Sequence, residues 1–145
     1  MVFLTQTHQQ FIDHLKQEHR STNTILAYGK DIAQFLAYLK KANKTTPADI
    51  TAADISEFQN SFSAYTPKSI SRKLNSVKTF CRFLKLNGAL LNNPALKIHS
   101  PSLTTTPPRI LTQLEYWALR DAARNDTRLA AVIELLLQTG LRISE

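Results

Sequence analysis

Almost every stretch of this chain reads as helix, because its apolar residues recur at three- and four-residue spacing and only three glycines interrupt them. Ile25, Tyr28, Ile32, Phe35, Leu36 and Leu39 follow the i, i+3, i+7, i+10, i+11, i+14 series of one buried face. They predict a helix that leaves the polar turn at 21–23 and ends near Lys41. Before it, Thr7 and Gln10 have the spacing of a capping box and open a helix to about His19 with Phe11, Ile12 and Leu15 as its apolar positions. After a loop around Pro47, Thr51 and Asp54 make a second box, heading a third helix that carries Ile55, Phe58 and Phe62. Thr66 and Pro67 fit the N-cap and first position of a fourth helix, which should reach Asn87 and stop at Gly88. Four helices of this length joined by short connections predict one compact all-α bundle over residues 1–88.

The pattern changes after Gly88. Residues 89–110 include LLNNPALKIHSPSLTTTPP, rich in Pro, Ser, Thr and Asn and without a helical period, and read as a linker. Order resumes with a third box, Thr112 and Glu115, opening a helix with Leu114, Trp117, Ala118 and Leu119. A further helix from about Thr127 to Gln138 contains LAAVIELLLQ, so apolar that it calls for burial nearly all round. Two helices of about a dozen residues cannot enclose such a segment, so 111–145 reads as an incomplete second unit, prone to self-association through residues 112–138.

Charge adds a partner. The chain is formally +7, and the excess is confined to its first hundred residues: thirteen Lys and Arg stand against six Asp and Glu up to Ser100, and five against five after it. Between Glu57 and Glu115 there are eight cations and no acid, which predicts a positive field that is not cancelled locally and a polyanionic partner. A single cysteine, Cys81, excludes an internal disulfide. The four histidines have no metal-ligand spacing, so no metal and no cofactor are expected. No apolar run approaches a membrane span and the N-terminus lacks the form of a secretion signal, so a cytoplasmic protein is expected, with no membrane partner.

The fourth helix concentrates this chemistry. Ile70, Leu74, Val77, Cys81 and Leu84 fall on one side, and Lys68, Arg72, Asn75, Thr79 and Arg82 on the opposite side at the same spacing, with Lys78 and Lys85 flanking them. Long cations suit phosphates and guanine edges, and an amide suits adenine. Ser71 and Lys73 adjoin the row, Lys73 nearer the core edge, and Thr24 and Lys30 of the second helix are expected to assist, the amides of the Thr22–Thr24 turn meeting a phosphate. Phe83 fits neither stripe and is expected to pack on the segment that follows. An ordinary amphipathic helix with a solvated basic face would show the same row.

Four stretches, STNTILAYGKDIAQFLAYL, SISRKLNSVKTFCRFLKLNGALLNNPALKI, PPRILTQLE and LLLQTGLRISE, together resemble the tyrosine recombinases, the phage-integrase and Xer-type site-specific recombinases, in order and spacing. The resemblance implies a SAM-like core-binding domain (1–88), a linker (89–110) and the first helices of a catalytic domain (111–145) that closes with the first around double-stranded DNA. It implies a parent that cuts and rejoins DNA in integration or recombination, working with further recombinase subunits. It also makes Arg142 the arginine that contacts the scissile phosphate, which suits a guanidinium able to hold two oxygens in a fork. Glu145 would orient the site.

The family's other catalytic groups, a nucleophilic tyrosine, a hairpin lysine, a His-x-x-Arg element and a further histidine or tryptophan, follow that arginine. Here Tyr28, Tyr38, Tyr65 and Tyr116 all precede Arg142, so the 145 residues are expected to be catalytically incomplete. Two other readings stay open: a helical protein-interaction module whose basic face takes an acidic partner, and a regulator that occupies recombination sites without cutting.

Overall fold

The computed structural model describes residues 4–103 and 107–144, and all regular structure among them is helical. The chain divides into two compact units, Met1–Thr104 and Thr105–Glu145. The first contains α1 (Leu4–Gln17), α2 (Thr22–Lys41), α3 (Ala52–Asn60) and α4 (Pro67–Leu86), with short 3₁₀ turns at Pro47–Asp49 and Pro94–Lys97. The second contains α5 (Gln113–Ala122) and α6 (Thr127–Thr139).

In the first unit the apolar stripes meet as their spacing requires. Phe11 and Leu15 of α1, Ile32, Phe35 and Leu39 of α2, Ile55 of α3, and Val77, Phe80 and Cys81 of α4 are wholly buried. Four helices each contribute one face to this core, and aromatic rings fill its middle: Phe11 and Phe80 meet edge-on at 5.2 Å, Phe35 and Phe58 at 5.0 Å. Burial pushes the Cys81 thiol up to about 12, so it stays protonated and inert within the packing. At the α1–α2 crossing Gly29 makes room for the Ile12 side chain, whose end would have to shift for a larger residue. A Cβ on Gly29 would lie 2.8 Å from Ile12 Cδ1, and a His8 ring nitrogen sits 3.0 Å from the Gly29 carbonyl.

Local chemistry sets the helix ends. Thr51 accepts from the Asp54 amide while Asp54 accepts from the Thr51 amide, the reciprocal pair the sequence predicts. Burial works to raise the Asp54 carboxyl, but Lys44 and Thr51 outweigh it and hold the group below the usual carboxylate range. Thr66 caps α4 with Pro67 in the first turn, and Gly88 takes the left-handed conformation (φ 71°) that closes it.

Three expectations need correction. Thr7 does not open α1: the helix begins at Leu4, and the buried Thr7 hydroxyl instead donates to the Leu4 carbonyl at 2.7 Å. Phe62 lies beyond α3, which ends at Asn60, and Phe83 meets α1, its ring lying 5.5 Å from Phe11 and 5.0 Å from His14. Packed structure also runs past Gly88, because Leu90, Ala95 and Ile98 are buried in the bundle's core although no helical period announces them.

In the second unit Thr112 and Glu115 form the expected box, and the Thr112 amide and hydroxyl, opposed by slight burial and aided by Arg109, hold the Glu115 carboxyl low. No residue of α5 or α6 is buried. Leu129, Val132 and Leu135 of α6 are exposed, so the apolar helix that calls for cover has little.

Candidate nucleic-acid interface

The outer row of α4 emerges as its periodicity dictates. Lys68, Arg72, Asn75 and Arg82 are exposed, while Ser71, Lys78 and Thr79 are half-buried. Thr79 donates to the Asn75 carbonyl at 2.8 Å, which keeps its hydroxyl on the helix, and the Lys78 ammonium donates to the Ser100 hydroxyl at 3.3 Å. Beside the row lies an open groove of about 430 Å³, lined by Tyr28 of α2, Asn75, Lys78, Thr79 and Arg82 of α4, and the turn from Asn93 to Leu96. Asn93 caps that turn by accepting the Ala95 amide at 2.9 Å, which commits its oxygen and leaves its NH₂ to face an acceptor. The sequence reading missed this wall of the groove because Pro and Asn composition reads as linker; the one signal was an Asn-Pro pair with the spacing of a capped turn.

From α2, Lys30 is exposed and Thr24 half-buried. Ser21 caps the helix, accepting from the Thr24 amide at 3.3 Å, and the two hydroxyls lie 2.8 Å apart. Of the first-turn amides offered to a phosphate, that of Thr24 is therefore already taken by the protein.

Asp31, absent from every sequence-based expectation, reorganises the middle of the face. Its carboxylate is 2% exposed and receives four donors. Arg72 approaches end-on, one terminal nitrogen 2.7 Å from Oδ2 and the other 2.9 Å from Oδ1; Ser76 donates to Oδ2 at 2.8 Å and Lys73 to Oδ1 at 3.2 Å. Two corrections follow. The positive field of α4 is partly cancelled after all, by an acid forty-one residues away in sequence. Lys73 is also withdrawn from the surface: it is 8% exposed, bonded to Gln34 at 2.6 Å, and its ammonium lies 5.1 Å from the Phe62 ring centre. Arg72 keeps an exposed edge, its side chain being 49% accessible.

In the second unit, Gly140 stops α6 in the left-handed conformation (φ 66°), its amide bonded to Leu136 at 3.0 Å. Arg142 follows two residues on and is exposed. Glu145 lies outside the described residues. Among the tyrosines, Tyr38 donates to Glu57 at 2.8 Å, a bond that leads the causes raising its phenol to about 12, and Tyr116 lies 5.6 Å below the Arg120 guanidinium. Among the described residues no cluster of three His, Cys, Asp or Glu could hold a metal ion, and no helix is long and apolar enough to cross a membrane.

Comparison with known proteins matches this geometry to characterised families. The sequence profile described as "Phage integrase, N-terminal SAM-like domain" matches residues 8–88. Tyrosine recombinase XerC of Roseiflexus sp. (strain RS-1) is 32% identical over 145 residues, covering 94% of this chain and 46% of that protein. A tyrosine recombinase of Thermosipho africanus (strain TCF52B) is 34% identical over 147 residues, covering 94% and 50%. The crystal structure of XerA recombinase aligns with a TM-score of 0.54 at 28% identity, over 97% of this chain and 48% of that one. The chain spans about half the length of these relatives.

Proposed function

This chain belongs to the Xer-like tyrosine recombinases of the phage-integrase type, and from that premise we propose that its first unit is a core-binding domain that grips double-stranded DNA. The outer face of α4 lies against the major groove or its phosphates. The observation that carries this is the row itself: Lys68, Asn75, Lys78 and Arg82 present cations and one amide at helical spacing, while the neighbouring Asp31 carboxylate is buried and saturated. Cations at this spacing meet successive phosphates, and Asn75 can pair with an adenine edge. Ser71, Thr24 and Lys30 flank the contact. In this reading the parent protein acts in DNA integration or recombination together with further recombinase subunits.

Replacing Lys78 and Arg82 by alanine tests the assignment. Duplex affinity should fall about 10- to 100-fold at low salt, and the slope of log affinity against log salt should flatten by roughly one unit for each phosphate no longer engaged. An unchanged slope would mean that α4 is not the DNA-contacting element. A wild-type chain that ignores duplex DNA but takes an acidic protein would favour the interaction-module reading.

The second unit, in the same reading, is the opening of the catalytic domain, and Arg142 takes the scissile phosphate in a bidentate fork. Attack on that phosphate needs a tyrosine hydroxyl readied by neighbouring groups. Tyr38 instead gives its hydroxyl to Glu57 and has a raised pKa, and Tyr28 stands in the α4 groove. Incubated with a nicked suicide duplex, the 145-residue chain should form no covalent protein–DNA adduct. An adduct abolished by mutating one of the four tyrosines would overturn this assignment.

A further inference from the structure

We infer that Asp31 is a positioning residue for DNA binding: it holds Arg72 by one edge of its guanidinium so that the other edge is presented, ready oriented, to a backbone phosphate. The inference rests on the DNA-binding reading above and assigns a role to a residue that faces no DNA itself.

The geometry supplies each step. Both terminal nitrogens of Arg72 engage Asp31, at 2.7 and 2.9 Å, which is the end-on pairing of a guanidinium with a carboxylate. That pairing leaves the side edge, the Nε–H and the outer N–H parallel to it, as a second fork of the kind that matches two phosphate oxygens. The carboxylate is 3% accessible on its side chain while the arginine side chain is 49% accessible, so the paired acid is shielded and the arginine keeps surface with which to meet a ligand. Asp31 itself cannot swing to follow Arg72, because Ser76 and Lys73 donate to its two oxygens from the same helix as Arg72. Lys73 in turn is held by Gln34 of α2 and by the Phe62 and Tyr65 rings. A free arginine loses much rotamer freedom when it docks on a phosphate; here most of that loss has been taken at folding.

Simple charge counting makes the opposite forecast. Asp31 is an anion beneath a DNA-binding face, so neutralising it should strengthen binding. The sign of the effect therefore separates positioning from bulk electrostatics, and the double variant D31N/K73M removes one charge of each sign, leaving net charge unchanged. With that variant shown to be folded by circular dichroism, duplex affinity should drop about tenfold and the salt slope should fall by roughly one unit, although Arg72 is still present. Adding R72A to it should then change affinity by less than about twofold. Affinity equal to wild type in D31N/K73M, or a further loss of about tenfold on adding R72A, would overturn the inference while leaving DNA binding by α4 intact. A wild-type chain with no salt-dependent duplex binding would remove the underlying reading and this inference with it. A measurement on the unmodified protein keeps the question open to test if the variant does not fold. In nitrogen-15 spectra the Arg72 terminal nitrogens should be resolved by hindered rotation before DNA is added, and the Nε–H should shift when duplex is titrated in. Freely averaged terminal nitrogens, or an Nε–H indifferent to DNA, would count against it.

Discussion

The 145-residue chain should sediment as a concentration-dependent mixture, whereas a chain ending at about residue 104, the boundary of the first unit, should be a monomer with its duplex affinity kept within about threefold. The reason lies in α6. Leu129, Val132 and Leu135 are 47, 40 and 55% exposed, Ile133, Leu136 and Leu137 are half-buried, and α5 adds Leu114 and Trp117 at 74 and 52%. Covering half of the six α6 side chains would contribute about 5 to 9 kcal/mol, at about 1.5 to 3 kcal/mol for each fully buried side chain. Association itself costs about 4 kcal/mol or more in lost freedom of motion. The balance is favourable by at most about 5 kcal/mol, which places self-association at about 0.1 millimolar or weaker. Sedimentation velocity on both lengths from about ten micromolar to one millimolar checks it, with duplex titrations alongside. A longer chain that stays monomeric throughout would show that α5 and α6 cover each other better than their exposure indicates.

The second large effect is on stability. Asp31→Ala should lower the unfolding free energy of the first unit by about 3 to 5 kcal/mol, because the Lys73 ammonium would be left buried with only Gln34 and two aromatic rings around it. Asp13→Ala is the contrasting control. Its pair with Lys16 is at the surface, with side chains 51 and 59% accessible, and solvent screening leaves such pairs little weight in stability. Urea unfolding of both variants separates the cases. A loss near that of the control would mean that water reaches Lys73 and that the network is held by packing instead of by charge.

What the sequence made legible was what depends on neighbours in the chain. The stripes of α2 and α4, the boxes at Thr51 and Thr112, the Pro67 start and the glycine stops at Gly88 and Gly140 are settled within a few residues, and each appears where its spacing puts it. Thr7 shows the limit of such local rules, since its hydroxyl finds a backbone carbonyl one turn back as easily as it would cap a helix. Leu90, Ala95 and Ile98 were illegible because a coil segment that packs on a bundle has no period to detect. The row on α4 was legible as a row, but its division into surface cations and an internal one was not. That division depends on Asp31, which reaches Arg72 and Lys73 only when α2 lies against α4. Counting charges along the chain cannot register a neighbour that folding supplies.

Cys81 gives the bundle an internal clock. It is the one cysteine of the chain, it is wholly shielded, and it lies on the inner stripe of α4, whose outer row is the proposed DNA-contacting surface. A thiol reagent can reach its sulfur only in molecules where α4 has momentarily parted from the core, so the rate of labelling counts those openings without any added probe. DNA clamped on the outer row would slow the openings and hence the chemistry at a sulfur it never touches. The helix that meets the nucleic acid thus reports its own breathing from the opposite side.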